Sequence, residues 1–241
     1  MNDKKIELLS TRPLDEALVS KALKHHIILN CISFIKTENI IDNPGSEKII
    51  ELASQTIAAV FTSMNGAEAV IDTLHKTNLQ PVWKIYCMGV ATQSLLKDYF
   101  SSIEIVGTGK NAAELSETII HNNEKEVYFF CGNQRRDELP EKLQKREISI
   151  KEIVVYETKE LAVKINKPYN GILFFSPSAV KSFFSVNSIT ADTVLFSIGD
   201  TTADEIKKNC TNKIIVSDFP AKDKLTEEAI AYFVLTNKPN D

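Results

Sequence analysis

The side chains of this chain that could do chemistry are mostly hydroxyls, and they come in matched pairs. The run Ala58-Ala59-Val60-Phe61-Thr62-Ser63 is apolar and ends in serine, as is Gly171-Ile172-Leu173-Phe174-Phe175-Ser176, with the serines 113 positions apart. A second apolar run follows each one and ends in glycine, with threonine three residues later. These are Met88-Gly89-Val90-Ala91-Thr92 and Ile198-Gly199-Asp200-Thr201-Thr202, 110 positions apart. A repeat on this scale points to two similar lobes rather than a solenoid, whose period is much shorter. Arg12 follows the first apolar run, and Arg135 and Arg136 follow Val127–Phe130. Loops at strand carboxyl ends are where open α/β sheets take ligands, and helix starts there favour anions. The set describes a site for a polyanion that uses neither metal nor nucleotide.

Other chemistries fail on spacing. Gly107-Thr108-Gly109-Lys110-Asn111 lacks the glycine that a phosphate loop needs at position 104, where Glu104 stands, and the Ser or Thr needed at 111. No Gly-x-Gly-x-x-Gly follows a strand-like run, and no Gly-x-Ser-x-Gly elbow accompanies the serines. His25 and His26 are adjacent, while His75 and His121 lie on separate helix-like segments, so no metal site is expected. Cys31, Cys87, Cys131 and Cys210 are far apart, three of them in or beside apolar runs, which reads as reduced structural thiols of a cytoplasmic protein.

The elements that must position the hydroxyls alternate along the chain. Strands are expected at Ile6–Leu9, Ile27–Cys31, Ile57–Phe61, Lys84–Met88, Ile103–Val106, Val127–Phe130, Ile150–Val155, Ile172–Phe175, Val194–Ile198 and Ile214–Val216. Most are too apolar to show a period of two, as suits parallel strands covered on both faces. Between them, Ala67, Val70, Ile71 and Leu74 make a helical stripe, as do Leu95, Leu96, Tyr99 and Phe100, and Ala179, Val180, Phe183 and Phe184. Helix starts are signalled by Pro13 after Ser10-Thr11, Pro177 after Ser176, Asn111 with Glu114, and Thr202 with Glu205. Ser63, Ser176, Thr92 and Thr202 therefore read first as helix caps, to which recurrence in two lobes adds a binding role.

Polar stretches at 35–46 and 157–170 mark the crossings between lobes. They assign 1–35 plus 159–241 to one α/β domain and 36–158 to the other, with five strands each. A net charge of −4 with 43% hydrophobic and 25% charged residues is ordinary for a soluble globular chain and argues against a nucleic-acid partner. The amino terminus, Met1-Asn2-Asp3-Lys4-Lys5-Ile6, has no long apolar core, and no apolar stretch approaches the roughly 18 residues of a membrane span.

Taken in order, several blocks resemble the uroporphyrinogen-III synthase family across nearly the whole chain. They are Ser10-Thr11-Arg12-Pro13, Val60-Phe61-Thr62-Ser63, Met88-Gly89-Val90-Ala91-Thr92, and Cys131-Gly132-Asn133 with Arg136-Asp137-Glu138-Leu139-Pro140. Then come Val155-Tyr156-Glu157-Thr158, Phe174-Phe175-Ser176-Pro177-Ser178-Ala179-Val180 and Ile198-Gly199-Asp200-Thr201-Thr202-Ala203. The resemblance implies two flavodoxin-like or Rossmann-like lobes with parallel sheets, joined by two linkers around a cleft. It implies cyclisation and dehydration of hydroxymethylbilane, a linear tetrapyrrole with eight carboxylates, to uroporphyrinogen III, with the last ring inverted through a spiro intermediate. No cofactor is implied. Tyr156 is the candidate acid, and Ser63, Thr92, Ser176, Thr201 and Thr202 are candidate carboxylate-binding residues, with Arg12 and Arg136 beside them. Met64-Asn65 stand where members often carry proline, which shifts the first lobe's grip towards Asn65 and backbone amides. Asp200 places a carboxylate near an expected anion site.

Two other classes stay open. A non-catalytic, two-lobed tetrapyrrole- or anion-binding regulatory protein of the same fold would be expected to lose several of these hydroxyls and Tyr156. A nucleotide-dependent transferase with two Rossmann-like lobes would need the missing glycine fingerprints. A monomer is expected.

Overall fold

The computed structural model describes residues 5–77, 79–100, 104–219 and 221–236. Ile103 of one expected strand, and Met1–Lys4, lie outside them. The described residues divide into two compact units, with the chain passing between them at Lys36/Thr37 and again at Thr158/Lys159.

The unit holding both chain ends contains β1 (Ile6–Ser10), α1 (Glu16–Lys24) and β2 (Ile27–Cys31). After the second crossing it continues with β9 (Gly171–Phe174), α7 (Pro177–Val186), β10 (Val194–Ser197), α8 (Asp200–Lys207), β11 (Ile214–Val216) and α9 (Lys222–Thr236). Its sheet runs β11-β10-β9-β1-β2, with parallel pairing throughout. Counted within the unit this is the order 2-1-3-4-5 of flavodoxin-type doubly wound sheets, whose switch point lies between β1 and β9. Leu8, Phe196 and Phe233 pack on one face and Leu9, Phe174 and Phe183 on the other, so the all-apolar Gly171–Phe174 is buried on both.

The middle unit contains β3 (Ile35–Asn39), α2 (Asn43–Ala53), β4 (Ala58–Phe61), α3 (Met64–His75), β5 (Lys84–Met88) and α4 (Val90–Tyr99). It then runs through β6 (Glu104–Gly109), α5 (Ala112–His121), β7 (Glu126–Gly132), α6 (Glu138–Gln144) and β8 (Ser149–Glu160). The strand order is β3-β8-β7-β4-β5-β6, with β7·β8, β7·β4, β4·β5 and β5·β6 parallel. Starting the count at β7 gives the same doubly wound order, circularly permuted, with its switch point between β7 and β4. α3 buries Ala67, Val70 and Leu74 on one face of the sheet, and α5 buries Leu115 and Ile119 on the other.

Three expectations need correction. The middle sheet has six strands, not five, because the stretch read as a polar crossing begins with β3. An edge strand needs backbone bonds on one side only, and its charged side chains discourage further pairing, so Ile-Lys-Thr-Glu-Asn pairs without an apolar pattern. Pro13 does not open a helix: α1 starts at Glu16 behind Asp15, whose side chain makes no cap bond. Thr92 and Thr202 are not caps. Each is the third residue of its helix, behind Gly89 and Gly199.

Candidate active site

Ser63 leaves central strand β4 in an extended conformation (φ −150°, ψ 151°), and its Oγ accepts the Gly66 N–H at 3.2 Å, capping α3. The same hydroxyl donates to Tyr156 Oη at 3.1 Å. No acceptor among the described residues takes the Tyr156 proton in return. Tyr156 is partly buried and stands where β8 passes β7 out of register: Cys131 pairs with Val154, and Gly132 pairs with Tyr156. A Cβ on Gly132 would lie 2.4 Å from Tyr156 Cζ, so only glycine leaves room for the ring. Beyond β7, the Asn133 N–H donates to the Tyr156 carbonyl at 3.1 Å.

Tyr156 and Ser63 line a pocket of about 320 Å³ with Thr62, Met88, Phe129, Gln134, Lys110, Asn111 and Arg136. Asn111 caps α5 by accepting the Glu114 N–H at 2.9 Å, while Glu114 reaches back to the Lys110 N–H at 2.9 Å, closing the expected capping box one residue early. The two adjacent arginines have different fates. Arg135 is held by Glu152, 2.7 Å from its Nε, and by Asp137, and these carboxylates push its already high pKa further up. The exposed Arg136 has no ion pair among the described residues, so its charge and that of Lys110 are open to an anion in the pocket. Asn65 faces elsewhere, into a smaller hollow of about 130 Å³ on which Tyr156 also borders, beside Glu68 and Asp72. Two carboxylates make that hollow a poor host for a third.

In the unit that holds both chain ends, Arg12 and Ser176 follow β1 and β9, the two strands of the switch point, while Thr201 and Thr202 follow β10. Thr11 Oγ1 donates to the Leu173 carbonyl at 2.8 Å, which ties the end of β1 to β9. The Arg12 guanidinium lies 5.7 Å from the centre of the Phe175 ring. Next to it, Ser176 Oγ accepts the Ala179 N–H at 3.2 Å and caps α7. Thr201 is exposed in the first turn of α8. Thr202 and its counterpart Thr92 are 3% and 4% exposed, each held in the first turn of its helix.

Sequence reasoning put Ser63, Arg136 and Tyr156 in one neighbourhood only through the resemblance, and it missed Lys110 as a lining group. The glycine ending β7 was the available signal for Tyr156: a glycine closing a strand marks close approach of another group.

The chain matches the family model described as uroporphyrinogen-III synthase HemD over residues 16–227. Its fold is similar to that of the uroporphyrinogen-III synthetase of Helicobacter pylori, with a TM-score of 0.65 and 18% identity, covering 94% of this chain and 99% of that one. It is also similar to a mutant uroporphyrinogen III synthase of Thermus thermophilus, with a TM-score of 0.67 and 12% identity, covering 97% and 100%. With the family model spanning nearly all of both units, the chain belongs to the uroporphyrinogen-III synthase family.

Proposed function

We propose that this chain cyclises hydroxymethylbilane to uroporphyrinogen III as a hydro-lyase, with inversion of the last ring, and that Tyr156 donates a hydrogen bond to the departing hydroxyl. The observation that carries the reading is the direction of one contact. Tyr156 accepts from Ser63, which leaves its own proton free beside a pocket bearing Lys110 and Arg136. Loss of the hydroxyl is helped by the pyrrole nitrogen, which stabilises the azafulvene left behind. Mild acid assistance then suffices, and the larger task is to hold the chain ends so that the inverting carbon attacks. Cations and amides serve that task by gripping carboxylates, Arg136 and Lys110 in the Tyr156 pocket, and Arg12, Ser176 and Thr201 on the other unit for further carboxylates of the same substrate. Thr92 and Thr202, in the first turns of α4 and α8, are further candidate carboxylate-binding residues in this scheme. The same reading has the protein act without cofactor, as a cytoplasmic monomer.

The test uses freshly generated hydroxymethylbilane and separates type I from type III products. Type III is expected, and only type I with added protein sinks the proposal. Tyr156→Phe should slow turnover by about 10- to 1,000-fold, the low range of general-acid effects, and leave product binding nearly unchanged. Unchanged turnover removes Tyr156 from the role.

A further inference from the structure

We propose that Asn133 is a positioning residue for the reaction, setting Tyr156 through two hydrogen bonds that continue the β7·β8 ladder after β7 has ended. This rests on the reading of Tyr156 as the proton-donating group. The strand pairing shows why such a device is needed. A strand's side chains alternate between faces, and a one-residue slip sends each to the other side. Val155 is fully buried, and Tyr156, its neighbour, packs against the same apolar cluster. Two successive residues serve one face only because the register shifts between Cys131 and Gly132, leaving Val155 as the extra residue of β8. Such an irregularity aims a side chain and also interrupts the ladder that would hold it.

Asn133 repairs the interruption. Its backbone N–H donates to the Tyr156 carbonyl at 3.1 Å, and its Oδ1 accepts the Thr158 N–H at 3.0 Å. The side chain thereby supplies the acceptor that another residue of β7 would have offered. Gln134 Nε2 adds a bond to the Thr158 carbonyl at 3.1 Å. Residues on both sides of Glu157 are tied down, and the Tyr156 ring is pinned over Gly132 with its hydroxyl at Ser63. Asn133 does not line the Tyr156 pocket. Its influence therefore passes through Tyr156, and displacements of about 1 Å at a reacting group can cost about 100-fold in rate.

The test is a double-mutant cycle on the whole protein, with kcat and KM measured separately. Asn133→Ala keeps the backbone bond and loses the side-chain acceptor; kcat should fall about tenfold with KM nearly constant. Asn133→Asp restores an acceptor for Thr158 and should recover most of the lost kcat. In the Tyr156→Phe background, Asn133→Ala should add no further loss, because there is no phenol left to aim. An equal loss in both backgrounds overturns the proposal, since a general weakening of the fold would act regardless of residue 156. A change in KM alone, or no change, also overturns it. If Tyr156→Phe turns over normally, the reading of Tyr156 falls and takes this one with it. If Tyr156→Phe is impaired while Asn133→Ala is harmless, only the present inference falls.

Discussion

Ser63 makes two bonds that bear on different properties. Accepting the Gly66 N–H stabilises the start of α3; donating to Tyr156 orients the phenol. Its repeat partner Ser176 makes the equivalent cap to Ala179 but touches no tyrosine, so the two copies match in architecture and differ in chemistry. The two bonds can be separated because a cap serine replaced by alanine costs about 1 kcal/mol, and by glycine only a few tenths. Ser63→Ala should therefore lower the melting temperature more than Ser63→Gly. Both lose the same hydroxyl, so both should slow turnover equally. Melting curves and steady-state rates on the two variants check this, and turnover that instead follows stability would reduce Ser63 to a cap.

At the level of elements, the apolar runs were legible because a parallel strand buried on both faces writes its location directly into composition. Ala58–Phe61 and Gly171–Phe174 are examples, buried at every position. β3 was not legible, since an edge strand held by backbone bonds leaves no side-chain pattern, and neither was the register shift at Gly132, which depends on a partner strand. Thr92 and Thr202 misled because a threonine near a helix start suits both the cap and the first turn. The central strands of the middle sheet also carry a titration signature. Burial pushes the Cys87 and Cys131 thiols from 9.0 up to about 11, and the Tyr86 phenol from 10.0 up to about 12. A raised folded-state pKa favours the protonated form in the native protein, so this stabilisation is complete below the unfolded values. It is lost as pH climbs from about 9 towards 11, where only the unfolded chain has shed the protons. The melting temperature should fall across that window. The double variant Cys87→Ala, Cys131→Ala should melt lower at neutral pH yet lose less between pH 9 and 11. An equally steep decline in the variant would assign the effect to other groups.

Over the whole molecule, the chain crosses between its units twice, and both crossings fall inside strands: Lys36/Thr37 within β3 and Thr158/Lys159 within β8. Each apolar cluster nevertheless draws its residues from one unit alone. Those around Phe61 and around Phe129 use only the middle segment. A fragment cut at the crossings would sever two strands, whereas residues 35–160 keep both intact. At roughly 125 residues, with helices covering both sheet faces, the fragment is large enough to bury a core of its own. It should unfold in a single cooperative thermal transition. It also retains Ser63, Arg136, Asn133 and Tyr156, the whole of the pocket beside the phenol, and lacks Arg12, Ser176 and Thr201. If both units grip the substrate, this folded fragment should leave hydroxymethylbilane to close uncatalysed, giving type I product alone. Calorimetry and product separation on the same preparation decide both points: a broad, non-cooperative melt contradicts the independence of the middle unit, and type III product from a folded fragment contradicts the need for the other unit's residues.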